Sequence, residues 1–217
     1  MNIGRHFFSN HRTPLRVHMN DKEAIQQISD KLYELIKPNK IREVVVVCIG
    51  TDRSTGDSLG PLIGSKLNEH SLATMHVYGN LEHPVHALNL EETLTHIHER
   101  FQKPLIIGVD ACLGKIESVG HITVGSGPIK PGTAVKKKLP DVGEVHLTGI
   151  VNVGGMMEYF VLQNTRLFTV MNLATIIAES IANVDHTLTL EKGKRKSIFE
   201  AMKPPAIFIK ERKETPL

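Results

Sequence analysis

The sequence predicts a three-layer α/β fold, a largely parallel sheet with helices on both faces, and three observations carry that prediction. Val44-Val45-Val46-Val47-Cys48-Ile49 and Leu105-Ile106-Ile107-Gly108-Val109 are unbroken, mostly β-branched apolar runs, the pattern of strands buried on both faces. Segments of helical period lie before, between and after them, as in βαβ units. Each run passes directly into polar residues, and loops at the carboxyl ends of such strands are where open α/β sheets bind ligands.

A chain of 217 residues is long enough for one sizeable core and short for two. The expected organisation is a flexible arm over residues 1–20, one α/β domain over 21–186 and a peripheral basic segment over 187–217. Within the domain, the apolar spacing of Ile25, Ile28, Leu32, Leu35 and Ile36 predicts a helix, with Asn20 or Asp21 as N-cap and Pro38 just past its end. The first strand follows at 43–49. Residues 58–70 read as a helix, with Pro61 tolerated in the first turn. A short strand is expected at 74–78 and a helix at 88–101, and Pro104 then introduces the strand ending at Asp110. Residues 120–125 are a further strand, with turn signals at Gly127-Pro128 and Pro131-Gly132. Residues 144–151 fit a strand or an extended loop, 156–163 a helix, 167–170 a last strand and 173–182 an apolar helix.

Composition narrows the function classes. Apolar residues are 41% and charged residues 23% of the chain, which suits a globular domain. A net charge of +3 reflects Lys and Arg largely matched by Asp and Glu, so no nucleic-acid partner is expected. The absence of Trp and the three Tyr argue against a base-stacking platform. No apolar stretch is read as reaching the roughly 18 residues of a membrane span, and the N-terminus lacks the apolar region of a secretory signal. Cys48 and Cys112 both sit at the ends of apolar runs. They read as packing thiols of a reducing cytoplasm, with a redox pair as the minor alternative. Lys136-Lys137-Lys138 is either a solvated run or a contact for an acidic partner.

The chemistry-bearing stretch is Gly50-Thr51-Asp52-Arg53-Ser54-Thr55-Gly56-Asp57-Ser58-Leu59-Gly60-Pro61. Asp57 follows the first buried strand and Asp110 ends another, so a parallel sheet puts both on one edge, where neighbouring strands lie about 4.8 Å apart. Two carboxylates so close can share a proton and activate a water, or bind a divalent metal that does so. The structural alternative is that Asp57 caps the following helix and Asp110 a turn. A phosphate loop is disfavoured, because GxGxxG and the Gly-Lys-Ser/Thr ending are missing and two acids would repel phosphate. His146 could reach the same edge as metal ligand or acid/base, or make a structural bond at a strand end. His83 and His86, around Pro84, lie over the site or on the surface. Gly154-Gly155 suggests a close backbone approach or an ordinary turn.

From 44 to 181 the sequence resembles the YyaC family of sporulation proteins, through Cys-Ile-Gly-Thr-Asp-Arg-Ser-Thr-Gly-Asp-Ser-Leu-Gly-Pro and Gly-Val-Asp-Ala-Cys-Leu-Gly. More distantly it is similar to the spore germination protease, through Asp57-Ser58-Leu59-Gly60-Pro61, Val109-Asp110-Ala111 and the partial echo Pro131-Gly132-Thr133-Ala134-Val135. It is similar also to the hydrogenase maturation proteases, whose metal-site histidine would fall near His146. The resemblance implies a phosphorylase/hydrolase-like fold and a peptidase-like hydrolase of the forespore or spore-core cytoplasm. Asp57 and Asp110 would be its catalytic acids, and small acid-soluble spore proteins are a candidate substrate. Asp52 and His146 would support the pair, Gly50, Gly56 and Gly60 would shape the loop, and a divalent metal at Asp57, Asp110 and His146 is an open option. The alternative is a non-catalytic sporulation protein that keeps the fold to bind or regulate a partner.

Overall fold

The computed structural model describes residues 13–39, 41–131 and 139–201, with side chains described to residue 194. Six strands among the described residues form one sheet: β1 (Leu15–His18), β2 (Val44–Cys48), β3 (Met75–Tyr78), β4 (Leu105–Gly114), β5 (His121–Ser126) and β6 (Val145–Val153), in spatial order β1-β5-β6-β4-β2-β3. β6, β4, β2 and β3 run parallel. β5 is antiparallel to both β6 and β1. The helices are α1 (Ala24–Ile36), α2 (Leu59–Glu69), α3 (Leu90–Arg100), α4 (Glu158–Gln163) and α5 (Leu167–Ala201).

β2 shows how the sequence generates the layers. All five of its residues are buried, and a strand alternates its side chains between faces. Val44, Val46 and Cys48 join the larger core with Leu32 of α1, Ile63 of α2 and Ile177 of α5. Val45, Val47 and the adjacent Ile49 join a second core with Leu90 and Ile97 of α3. One apolar run therefore serves two cores, as expected for a sheet covered on both faces.

Several expectations change. Residues 15–18 of the expected loose arm form an edge strand, with Val17 opposite Ile122 and buried in the core. Residues 167–170 are the first turn of α5, not a strand. The helix continues unbroken past residue 187, because buried Val170, Leu173, Ala174, Ile177, Ala178, Ile181, Val184 and Leu188 recur at helical spacing along its length. α5 also overturns the reading that no stretch approaches a membrane span. By length and composition Leu167–Lys194 qualifies, but half of its most apolar window is buried inside the fold, the condition of a core helix. β4 runs on to Gly114, so Asp110 lies inside the strand and not at its end. Of residues 144–151, open between strand and loop, all but Glu144 are strand, in β6. The lysine run 136–138 and residues 132–135 lie outside the described residues.

α5 is fastened by a buried acid. Asp185 accepts hydrogen bonds from Ala73 N at 2.8 Å, Thr74 N at 2.7 Å and Thr74 Oγ1 at 2.6 Å, which ties the helix to the turn leading into β3. Ser29 Oγ donates to Ser180 O at 3.2 Å, where α1 crosses α5. At the same amino-terminal edge of the sheet Arg42 bridges Glu144 and the carbonyls of Lys103 and Pro104. Replacing Asp185 by Ala leaves the Thr74 donors unpaired in the interior. The variant should lose about 2–4 kcal/mol of stability, since unmet buried hydrogen-bonding groups cost about 1–3 kcal/mol each; urea unfolding of the variant against the parent measures it.

Candidate active site

The site is built at the carboxyl end of β2. Ile49 N donates to Val109 O at 2.7 Å and Gly50 N to Val85 O at 2.8 Å, so the chain leaves the sheet held on both sides. Gly50 then takes φ 151°, and a Cβ there would lie 2.0 Å from Asp57 O, which only glycine avoids. Thr51 N donates back to Asp57 O at 3.1 Å, closing the loop on itself. α2 begins pressed against the strand it follows: a Cβ on Gly60 would lie 2.1 Å from Ile49 O. Ser58, at the N-cap of α2, makes no side-chain capping bond and donates instead to Thr55 O at 2.7 Å. Asp57 thus stands one residue before the N-cap position.

Asp57 and Asp110 line one cavity of ≈ 360 Å³, together with Gly50, Thr51, His86, Cys112, Glu158, Tyr159 and Leu162. Ala111 N donates to Asp110 Oδ1 at 2.8 Å. Loss of solvation by burial is the main reason the Asp110 carboxyl is pushed up to about 8; the Ala111 bond opposes this, and the nearby Asp57 charge adds to it. Asp57 is also raised, again chiefly by burial, with the Ser54 hydroxyl pulling it back. Ser54 Oγ makes no hydrogen bond of standard geometry, so it acts on Asp57 as a neighbouring dipole. The arrangement is two carboxyl groups in a poorly solvated space, one of which feels the other's charge.

The remaining expected residues are placed differently. Asp52 is exposed and outside the cavity lining. His146 lies on β6 opposite Gly108, two residues before Thr148, which pairs with Asp110. Its Nδ1 is 3.1 Å from Gly127 O, and it does not line the cavity. Gly56 is a packing position: its N donates to Leu162 O at 2.9 Å, and a Cβ would lie 2.7 Å from Leu162 Cδ2. Among the described residues no three His, Cys, Asp or Glu side chains are grouped to hold a metal.

Sequence reasoning missed Cys112, Glu158 and Tyr159 as cavity residues and left His86 between site and surface. Cys112 was findable, because it lies two residues beyond Asp110 in one strand and so faces the same way. Burial raises its thiol to about 11, opposed by a Thr148 hydrogen bond, so it is protonated at neutral pH. Cys48 is a core residue, raised by burial alone. His86 Nδ1 accepts from Leu88 N at 3.3 Å. Glu158 and Tyr159 belong to a helix remote in sequence, with no local signal.

Residues 16–180 match the family model described as "Protein of unknown function (DUF1256)". The chain is 51% identical to the uncharacterized protein YyaC of Bacillus subtilis (strain 168) over 181 residues, covering 83% of this chain and 88% of that protein. Its fold is similar to that of the [NiFe] hydrogenase maturation protease HycI from Thermococcus kodakarensis KOD1, at 17% identity and a TM-score of 0.50, covering 71% of this chain and 98% of the other. The α/β fold expected from the sequence, a sheet with helices on both faces as in that maturation protease, is thereby found, with a mixed sheet in which β5 and β1 add the antiparallel edge.

Asp110 also imposes a pH dependence on stability. Its folded pKa of about 8 lies above the roughly 3.9 of an unfolded aspartate. Between those values the folded state binds the extra proton, so this group's contribution is full below the unfolded pKa and is lost as pH rises towards 8. Asp110→Asn should therefore be more stable than the parent at pH 7, with a flatter curve of Tm against pH from 4 to 8. Each kcal/mol recovered appears as about 2–4 °C in a chain of this size. Scanning calorimetry across that range checks it, and a variant as steeply pH-dependent as the parent would refute it.

Proposed function

The chain belongs to the DUF1256 family, and we propose that its cavity is the site of a peptidase-like hydrolase in which Asp57 and Asp110 share a proton to split an amide bond. The observation that carries this reading is the pair itself: Asp57, past the carboxyl end of β2, and Asp110, on the adjacent parallel strand β4, line one cavity, and loss of solvation pushes the Asp110 carboxyl up to about 8. The protease-like fold is consistent with it.

In the proposed reaction Asp57 is the carboxylate and Asp110 the acid. A water held between them attacks the carbonyl carbon of the substrate. Asp57 takes the water proton as the new C–O bond forms, and Asp110 gives its proton to the carbonyl oxygen, producing a neutral gem-diol. The diol then collapses: the C–N bond breaks, the nitrogen takes the proton from Asp57, and Asp110 recovers a proton from a diol hydroxyl. The pair returns to one proton, and one water has been consumed. General acid–base assistance of this kind contributes about 10²–10⁴ in rate for each positioned group.

The resemblance to sporulation proteins and to the germination protease supports a protein substrate in the cytoplasm of the sporulating cell, and small acid-soluble spore proteins are the first to test. A non-catalytic binding role predicts no cleavage of these under any condition.

Incubating such proteins with the parent chain should yield defined fragments, with or without added divalent metal. Asp57→Asn and Asp110→Asn should each lower the rate by at least about 10² while retaining the parent's circular dichroism; full activity in both would end the mechanism. The rate should decline as pH rises through about 8, where Asp110 loses the proton it must donate.

A further inference from the structure

We propose, resting on the reading of the cavity as hydrolytic, that α4 and the first turn of α5 form a platform that seats a bulky apolar side chain of an extended polypeptide beside the bond to be cut. From residue 156 to residue 168 the chain exposes large apolar side chains: Met156 is 87%, Phe160 54% and Phe168 61% accessible. Large apolar side chains exposed within one short segment suit an interaction site better than single exposed residues do.

The platform is continuous with the acid pair. Tyr159 and Leu162 of α4 line the same cavity as Asp57 and Asp110. The Tyr159 and Phe160 rings stand edge to face with centroids 5.9 Å apart, and Gln163 Nε2 donates to the Tyr159 hydroxyl at 2.9 Å. Tyr159 is thus a held, amphipathic ring of the type that supplies contact area at low entropic cost, with the apolar Phe160 ring against it. α4 is also joined to the loop bearing Asp57, through Gly56 N and Leu162 O at 2.9 Å. A side chain resting on α4 is thus positioned relative to the same loop that presents the carboxylate.

Cavity shape and charge select the occupant. A lipid surface or a flat face of a second copy could cover the platform, but neither would fill the ≈ 360 Å³ recess that leads from it to the acids. A single chain can do both, with one side chain on the platform and the neighbouring amide between the carboxyl groups. Glu158 joins the Asp57 carboxylate in the lining, so an acidic residue next to the cut bond would meet like charge there. The recognised segment is therefore apolar at the platform position and free of Asp and Glu beside it.

The test reads binding without cleavage. Full-length Asp110→Asn protein is immobilised and offered a positional-scanning library of decapeptides, and the captured peptides are sequenced. Leu, Ile, Met or Phe should be enriched about tenfold at one position, the discrimination a well-fitted apolar pocket gives, with Asp and Glu depleted at its neighbours. A Met156→Ser/Phe160→Ser version of the same protein should lose most of that enrichment with unchanged circular dichroism, since both side chains already face solvent. Capture without apolar preference, or with acidic preference, overturns the proposal. So does sedimentation or vesicle flotation showing that the double substitution abolishes a dimer or lipid binding and leaves peptide capture unaltered. A parent chain that captures apolar peptides yet never cleaves them would refute the hydrolytic reading and leave the platform in place.

Discussion

The structure depends on backbone touching backbone at the carboxyl end of β2. At Gly50, Gly60, Gly64 and Gly79 a Cβ would fall between 1.7 and 2.1 Å from a carbonyl oxygen of Asp57, Ile49, Gly79 and Cys48 in turn. These contacts let α2 start directly against the strand it follows and let the β3 exit pass beside β2. No side chain could be inserted without moving the helix, because atoms at such distances overlap. The loop between Gly50 and Gly60 is consequently short and closed, and Asp57 is delivered to one place over the sheet edge.

That placement sets the electrostatics. Asp110 is carried by β4, which hydrogen-bonds to β2 on one side and β6 on the other, so its backbone has little freedom. The two carboxyl groups then sit in a recess whose other walls include Ile49, Leu113 and Leu162. Desolvation dominates the upward shift at both acids, and their mutual repulsion is the smaller contribution at Asp110. The site thus holds a neutral acid by withholding water from it more than by crowding it with charge.

The platform on α4 shows how elements remote in sequence complete the recess. α4 is fixed from below: Asn152 Nδ2 donates to Val161 O and to Thr165 Oγ1, both at 3.2 Å, and Gly56 N reaches Leu162 O. Its entry residue Met157 adopts the left-handed region at φ 58°, a conformation that a side-chain-bearing residue takes at some energetic cost. At this turn Met156 and Met157 are exposed to solvent and not packed into the core.

By itself the sequence determined the layers, the polarity of the central strands and the two acids at one sheet edge. These follow from local rules: an all-apolar β-branched run needs cover on both faces, and strands that run parallel in one sheet all point their carboxyl ends to the same edge. The Leu15–His18 edge strand escaped it, because a four-residue strand gains its stability from pairing with β5 and carries almost no period of its own. The tertiary structure decided that residues 167–170 open a long core helix, since a short apolar run fits either element until packing against α1 and α2 chooses. It also separated Asp52 and His146 from the acid pair and brought His86, Cys112, Glu158 and Tyr159 to it. Which side chains meet across a cavity is set by register and by the angles between elements, and those emerge only once distant segments are packed together.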